Sequence, residues 1–333
     1  MNAPITVVQY GLGPIGLAAA KLVCQKRELE LVGGIDIDPA KVGMDLGAAL
    51  GLERNLETEV SDDAASLLAR TQPDIVLHST GSFLKDVATQ LETCIKAKVP
   101  VVSSCEELFY PNYRHPDLSK ELDALAKEFG VAVMGTGVNP GFSMDVLALT
   151  LTGVCAEVNK IESTRIVDAS KRRLPLQKKI GAGLQPDEFR NLVQAGKLGH
   201  IGLLESLVSV ADALGWRLDD IQESIDPKIA ENVVTTPYLQ VLPGQVAGIV
   251  HVVKGVKEGQ ERIKLELQMF VGAENPCDCV HIEGNPPIEL RIAGGIFGDT
   301  ATVARMVNAI PAVLTASPGI LTPMNIPVLY YLG

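Results

Sequence analysis

The chain has 333 residues, of which 47% are hydrophobic and 21% are charged, and this length allows two domains that each bury a core. Its formal net charge of −11 argues against nucleic acid or an anionic membrane as a partner, because phosphate groups are bound by basic surfaces. No apolar run reaches the roughly 18 to 20 residues that a membrane-spanning helix needs, and the N-terminus has no signal-peptide pattern, so we expect a cytoplasmic protein.

The first fifty residues have the pattern of a dinucleotide-binding unit. An apolar run at 5–10 predicts a buried strand, a helix follows from Leu17, and a second predicted strand at 29–35 ends at Asp36. The first strand and the helix are joined by a G-x-G-x-x-G turn, which consists of Gly11, Leu12, Gly13, Pro14, Ile15 and Gly16. In such units the pyrophosphate binds at the helix N-terminus, and the acid after the second strand binds the adenosine ribose. The pattern predicts NAD or NADP as cofactor.

Asp36 also bears on the choice between the two cofactors. A carboxylate at this position repels the 2′-phosphate of NADP, which favours NAD. Lys41 lies five residues further on and offers a positive charge that accommodates NADP. NAD is therefore favoured, while NADP stays open.

The first 140 residues alternate strands and helices, which is typical of a doubly wound parallel sheet. Further strands are predicted at 73–80, 99–103 and 131–135, and a helix is predicted to begin near Ser61 as its N-cap. Ligands of such sheets bind beyond the carboxyl ends of the strands. The residues at the end of the strand at 73–80 are therefore assigned to the cofactor: Ser79, Thr80, Gly81 and Ser82.

The pattern changes in the second half of the chain. Strand-like runs follow one another without intervening helices, at 160–167, 245–254, 263–271, 280–283 and 288–292. They predict a second, α+β domain with a mostly antiparallel sheet, which helices at 186–195 and 203–214 interrupt.

Three parts of the chain follow from these patterns. A Rossmann-type α/β domain is expected at 1–140 and a second domain at 141–300. The C-terminal segment at 301–333 includes most of an amphipathic helix predicted at 300–314, and we expect this segment to pack on the first domain.

Two adjacent carboxylates, Glu106 and Glu107, follow the strand at 99–103. They fall in the zone where a nicotinamide ring binds, and a carboxylate there suits general acid–base catalysis. The alternative is an ordinary helix start, where acidic residues are common because the helix dipole favours them. Spacing alone leaves both interpretations open.

Four further polar residues are candidates for substrate binding. Thr136 and Asn139 lie in a glycine-rich segment before a predicted helix, which is alternatively a rigid connection between domains. Arg165 on a predicted strand is either a clamp for a carboxylate or a solvated side chain. His200, between glycines, is either a ligand or a structural hydrogen-bond donor.

A metal site is not expected. Cys277, Cys279 and His281 share one face of a predicted strand and would supply three ligands, but no distant pair has metal-like spacing.

In combination, these motifs resemble a known family. They occur together and in order, at 11–16, 36–47, 105–107, 135–142, 199–202 and 318–322. With them the whole chain resembles the 2,4-diaminopentanoate dehydrogenases and the related native NAD(P)H-dependent amine dehydrogenases, a branch near the dihydrodipicolinate reductases. The resemblance implies a homodimer whose second domain binds substrate and forms the dimer, with the active site in the cleft between the domains.

The resemblance also implies an activity and roles for residues. The activity is oxidative deamination of a small amine or diamino acid to a ketone and ammonia, or reductive amination in reverse. The family's catalytic glutamate matches Glu106 or Glu107, with a preference for Glu107. Positions that help to hold the substrate match Asn139, Arg165 and His200. Val167 stands where a further polar residue is expected, which favours a simpler, more apolar amine.

Two other functions remain. One is reduction of an imine or carbonyl on the same scaffold. The other is a non-catalytic NAD(P)-binding sensor. The acid pair and Asn139 argue against the sensor, because a sensor needs no acid beside the nicotinamide.

Overall fold

The computed structural model describes residues 3–332. Contacts divide the chain into two compact units: unit 1 comprises the residues up to Gly141 and those from Phe297 onward, and unit 2 is Phe142–Ile296. Within the described residues, no helix combines the length and the apolar character needed to cross a membrane.

The strands and helices alternate in the first half of the chain and become mainly strands in the second. The strands are β1 (Ile5–Tyr10), β2 (Leu29–Ile35), β3 (Val60–Ser61), β4 (Ile75–His78), β5 (Val101–Ser103), β6 (Ala132–Gly135), β7 (Glu157–Asp168), β8 (Asp220–Ile229), β9 (Val234–Thr235), β10 (Gln240–Val241), β11 (Val246–Lys257), β12 (Gln260–Phe270), β13 (Cys277–Asn285), β14 (Ile288–Ala293) and β15 (Gly319–Leu321). The helices are α1 (Pro14–Gln25), α2 (Leu46–Ala49), α3 (Ala64–Thr71), α4 (Leu84–Lys96), α5 (Pro116–Phe129), α6 (Val146–Thr152), α7 (Leu174–Lys179), α8 (Pro186–Gln194), α9 (Leu203–Ala213), α10 (Gly298–Asn308) and α11 (Ile310–Thr315). Short 3-10 helices occur at Glu107–Phe109 and Pro323–Asn325.

Unit 1 is built on a seven-stranded parallel sheet with the order β15-β6-β5-β4-β1-β2-β3. Its central strands are mainly apolar because helices cover both faces. One core includes Val7 and Leu77 together with Met306 and Ile310 of the C-terminal helices. A second core includes Val8 and other apolar residues packed with the helices between β2 and β6. The predicted Rossmann-type sheet is confirmed.

Unit 2 is built on a six-stranded sheet with the order β14-β13-β7-β12-β11-β8. Only the β7–β12 pair of this sheet is parallel, so the prediction of a mostly antiparallel sheet is confirmed. One face is apolar, and its Val253, Leu265 and Leu267 share a core with Leu207 and Val210 of α9. The strands alternate buried and more exposed positions, as expected for a sheet with one covered face.

Two local predictions were wrong, and one strand was missed. Ser61 is not a helix N-cap but the end of β3, and Asp63 caps α3 by accepting the Ser66 amide at 3.0 Å. The helix predicted at 300–314 is interrupted at Ala309, because Pro311 in the first turn of α11 has no amide hydrogen to continue α10. Strand β8 was missed because it is polar and contains Pro227, which an edge strand tolerates.

Candidate active site

Five strands of unit 1 end in one row at the same edge of the sheet. Neighbouring strands are paired at their last residues, which are Ile35, Tyr10, His78, Ser103 and Gly135 in spatial order. The chain leaves each strand from this row, and the Ser104 amide, for example, donates to the His78 carbonyl at 2.9 Å. The row brings together the glycine turn at 11–16, the segment at 79–82, the acid pair and the segment at 136–141.

The glycine turn has the geometry that a dinucleotide pyrophosphate requires. A Cβ on Gly16 would lie 1.8 Å from the Gly11 carbonyl oxygen, and Gly11 itself has a φ of +88°. A Cβ on Gly13, by contrast, would meet no described atom within 4 Å. Gly13 is the N-cap of α1, with no side-chain cap and no acidic residue in the first turn. The helix N-terminus is therefore open to an anion, so the residues present fit the cofactor.

Asp36 lies against the glycine turn and beside a lysine. Its carboxylate accepts the amides of Leu12 at 2.7 Å and Asp38 at 2.8 Å, and Lys41 Nζ lies 3.3 Å away. Burial acts to raise the pKa of Asp36, but the bonds from the two amides and Lys41 outweigh it and hold the pKa below its usual value. Lys41 also pairs with Asp38 at 3.2 Å, so its charge is shared between two acids.

The segment at 79–82 joins the glycine turn to the acid pair, and it is called the cofactor segment below because the sequence analysis assigns it to the cofactor. The Ser79 hydroxyl donates to the Gly11 carbonyl at 3.2 Å. At the other end, the Ser82 carbonyl accepts the Glu107 amide and the Cys105 thiol, both at 3.3 Å. The residues predicted to bind the cofactor and the predicted catalytic acids are therefore directly connected.

Glu106 and Glu107 have different surroundings. Glu107 is buried, at 6% exposure, and its Oε2 accepts the Leu84 amide at 2.7 Å and His115 Nε2 at 2.8 Å. These bonds attach the residue to the first turn of α4. Glu106 is partly exposed and immediately precedes the 3-10 helix. The Glu107 carboxylate is therefore fixed within unit 1.

Thr136 and Asn139 each carry one buried polar atom that makes no hydrogen bond to a described residue. The Thr136 hydroxyl and Asn139 Oδ1 are buried and have no hydrogen-bond partner among residues 3–332. The loop that holds them is fixed from α10: Thr302 Oγ1 accepts the Val138 amide at 3.3 Å, and Arg305 donates to the Gly141 carbonyl at 2.9 Å. Buried unsatisfied polar atoms are rare, so these two atoms are candidates for hydrogen bonds to a ligand.

Arg165 of unit 2 is neither exposed nor solvated, so the solvated alternative is wrong. It is 3% exposed, pairs with Asp278 and donates to the Ile296 carbonyl at 2.6 Å. Asp278 also accepts the Ile296 amide at 2.7 Å. Sequence reasoning missed Asp278 because its partner lies 113 residues away in the chain. Val167 lies on the same sheet face as Arg165, two residues along the strand.

His200 of unit 2 lies just before α9, and its Nε2 is buried without a hydrogen-bond partner among the described residues. Burial, and after it the neighbouring His251 and the cations Lys179, Arg165 and Arg172, lower the pKa of His200 to about 3. The ring is therefore neutral. His251 was missed by sequence reasoning: it is buried, bonds to Glu223 at 2.9 Å through Nε2, and has an unpartnered Nδ1.

Cys277 and Cys279 lie on β13 with their sulfur atoms 3.6 Å apart, and His281 follows on the same strand. Within residues 3–332, no three histidine, cysteine or acidic side chains are arranged to hold a metal ion. Asp278, between the two cysteines, points to the opposite face and binds Arg165.

Comparison with known proteins assigns the chain to a family. Residues 142–332 match the family model described as the 2,4-diaminopentanoate dehydrogenase C-terminal domain. A 2,4-diaminopentanoate dehydrogenase of Acetoanaerobium sticklandii is 33% identical, with 97% of this chain and 94% of the relative covered. The chain belongs to the 2,4-diaminopentanoate dehydrogenase family. The resemblance carried by the sequence motifs is confirmed.

This chain is also similar to amine dehydrogenases. One from Streptomyces virginiae is 29% identical, with 97% of this chain and 96% of the relative covered. The solved structure of an amine dehydrogenase from Mycobacterium smegmatis matches with a TM-score of 0.86 and 31% identity, covering 99% of this chain and 98% of the other. A dihydrodipicolinate reductase from Paenisporosarcina, 14% identical with a TM-score of 0.51, shares the fold alone. The prediction of a nicotinamide-dependent oxidoreductase that acts on amine groups is confirmed.

Proposed function

We propose that this protein catalyses the oxidative deamination of a small amine to a ketone and ammonia, and the reverse reductive amination, with a glutamate as the proton carrier. The observation that carries the proposal is that the turn carrying the acid pair is bonded to the cofactor segment, through the Glu107 amide and the Cys105 thiol to the Ser82 carbonyl. An acid at this position serves a reaction that must move protons beside the nicotinamide.

The residues that would hold the cofactor follow from the open helix N-terminus. Backbone amides of 11–16 would bind the pyrophosphate, Asp36 the adenosine ribose, and 79–82 the nicotinamide side. When bound, the nicotinamide supplies the hydride exchange. We propose NAD as the preferred cofactor, because Asp36 is ionised and Lys41 is already shared between Asp36 and Asp38.

We assign the proton transfers to Glu106 and a positioning role to Glu107. The sequence favoured Glu107, but its Oε2 is used by two protein donors and its side chain is buried. In deamination, the Glu106 carboxylate takes a proton from the substrate ammonium, which makes the nitrogen lone pair available. After releasing that proton to solvent, it takes a proton from the water that adds to the iminium carbon and passes this proton to the nitrogen. The hydroxyl then loses its own proton as ammonia leaves and the ketone forms. In amination the same transfers run in reverse, with ammonia as the co-substrate.

Binding residues orient the reacting carbon and select the substrate. Thr136 and Asn139, with their unpartnered polar atoms, would hold the substrate in unit 1. Arg165 and His200 are the proposed substrate-binding residues of unit 2. Because Arg165 already pairs with Asp278 and Val167 is apolar, we propose that a simple amine is preferred to a diamino acid.

The assembly and the compartment are proposed on the same basis. The family suggests a homodimer formed by the second domain at 141–300, with 1–140 binding the dinucleotide. We propose a cytoplasmic location. The six cysteines are unpaired thiols, which is usual in the reducing cytoplasm.

A rate measurement tests the proposed function. NADH or NADPH oxidation is followed with small ketones, aldehydes and 2-amino-4-oxopentanoate, each with and without ammonium. We expect oxidation only when carbonyl substrate and ammonium are both present. Equal rates without ammonium would indicate a carbonyl reductase. Cofactor binding without turnover on any substrate would indicate a sensor, and either result would overturn the proposal.

A further inference from the structure

His78 is a buried histidine that the proposed mechanism does not use. It is the last residue of β4 and is 0% exposed. Its Nδ1 lies 2.8 Å from Ser103 Oγ, and its Nε2 lies 2.8 Å from Gln90 Oε1 and 2.9 Å from Thr80 Oγ1. The two ring nitrogens therefore reach toward two different segments of the site.

The direction of these hydrogen bonds follows from the atoms involved. Ser103 Oγ accepts the Cys105 amide at 3.1 Å, which leaves the hydroxyl proton to donate to His78 Nδ1. Gln90 Oε1 only accepts, so His78 Nε2 carries the ring proton and donates. The Thr80 hydroxyl also donates to Gln90 Oε1. One continuous chain of bonds thus runs from Cys105, beside the acid pair, to Thr80 in the cofactor segment.

The chain does not change with pH near neutrality. Burial lowers the pKa of His78 to about 4, so the ring is neutral and holds a single proton. The groups packed around the ring nitrogens are the uncharged Ser103, Gln90 and Thr80, and the Tyr10 ring meets the imidazole edge-on at 5.4 Å. His78 therefore connects two segments without itself transferring protons.

We propose that His78 is a positioning residue that fixes the cofactor segment at 79–82 and the turn carrying Glu106 and Glu107 relative to each other. The inference rests on the proposed function, in which the acid works beside the nicotinamide. Catalytic groups lose rate steeply when displaced by about 1 Å, so a rigid connection between these segments has a direct consequence for turnover.

Two substitutions of His78 each remove the hydrogen bonds of one ring nitrogen and keep those of the other. In His78→Asn the shorter amide reaches Ser103 but not Gln90 or Thr80. In His78→Gln the longer amide reaches Gln90 and Thr80 but leaves Ser103 without its acceptor. Ser209→Ala is the control, because Ser209 is a fully buried hydroxyl of α9 that donates to the Ser206 carbonyl. All are compared with the wild type for NADH dissociation constant by fluorescence, for kcat, and for melting temperature without cofactor.

We expect His78→Asn to raise the NADH dissociation constant by about tenfold, because the cofactor segment is loosened. We expect His78→Gln to lower kcat by about tenfold, with an NADH dissociation constant within about twofold of the wild-type value. The control retains both values. A purely structural role would raise the NADH dissociation constant, lower kcat and lower the melting temperature together in both variants, and that result, or no change in either variant, would overturn the proposal. If the wild type binds NADH but turns over no substrate, the proposed function fails, and the difference in NADH affinity between the two variants still decides the role of His78.

Discussion

His115 Nε2 lies 2.8 Å from Glu107 Oε2, the same oxygen that accepts the Leu84 amide at 2.7 Å. His115 is the N-cap residue of α5 and Leu84 is the first residue of α4, so one buried carboxylate holds the starts of two helices together. This contact gives Glu107 a structural task, which supports the proposed division of roles in which Glu106 carries the protons.

Replacing each glutamate with glutamine tests this division. We expect Glu106→Gln to lower kcat by about a hundredfold to ten-thousandfold, as loss of a general acid–base does, with the NADH dissociation constant unchanged. Glu107→Gln should lower the free energy of unfolding by about 1.5 to 3 kcal/mol, since it weakens hydrogen bonds to a charged group. Steady-state kinetics and thermal unfolding measure both. Loss of turnover in Glu107→Gln alone would transfer the role to Glu107, and normal turnover in both would remove a glutamate from the mechanism.

The glycine turn offers a matched pair of alanine substitutions. In Gly16→Ala the new Cβ meets the Gly11 carbonyl oxygen at 1.8 Å, so the turn must distort and we expect a clear fall in melting temperature. In Gly13→Ala the Cβ meets nothing, so the melting temperature should stay within about 2 °C, while NADH binding weakens where the backbone faces the pyrophosphate. Tight NADH binding by Gly13→Ala would contradict the assignment of the turn.

Asp36 should set the preference for NAD. We expect Asp36→Ser to shift the ratio of kcat/KM for NADP over NAD upward by about tenfold to a hundredfold, because the repulsion of the 2′-phosphate is removed and Lys41 is released. Asp38→Asn is the control. Asp38 also pairs with Lys41, but Asp36 and not Asp38 accepts the Leu12 amide of the glycine turn. An equal shift in the two variants would show that Lys41 alone decides the preference.

The neutral ring of His200 predicts how the stability of the fold depends on pH. Its pKa is about 3 in the folded protein, below the ordinary value of 6.5, so the unfolded chain binds the extra proton between these values. The stabilisation is complete above pH 6.5 and is lost as the pH falls toward 3, by at most about 1.4 kcal/mol for each pH unit. Urea unfolding measures the free energy of unfolding at pH 7 and at pH 5. This free energy should fall less between the two pH values in His200→Gln than in wild type. Replacement of the exposed His281 with glutamine should leave the loss unchanged; an equal effect of both substitutions would contradict the prediction.

The sequence was sufficient to predict those parts of the candidate site that are formed by residues close together in the chain. The glycine turn and Asp36 follow one another within about thirty residues of chain, and strand, turn and helix each impose their own residue types. The ends of parallel strands meet at one edge, so the acid pair and Thr136 follow strands that end at the same edge as the strand before residues 79–82, as expected.

Pairings between distant segments could not be read in this way. The Arg165–Asp278 pair joins two strands whose register depends on the whole sheet, and a sequence pattern does not specify which side chains face each other across it. The support of the loop at 136–141 by Thr302 and Arg305 likewise depends on the return of α10 to unit 1. Ser61 failed as a cap for a simpler reason, because Asp63, two residues on, is an equally good capping residue.

The most direct test of the proposed function is the identity of the product formed from a ketone, isotopically labelled ammonium and NADH. Mass spectrometry should find the amine, carrying the labelled nitrogen, in amounts equal to the NADH consumed, and the Glu106→Gln variant should form almost none. Formation of the corresponding alcohol, or NADH consumption without labelled nitrogen in the product, would contradict the assignment of this protein as an amine dehydrogenase.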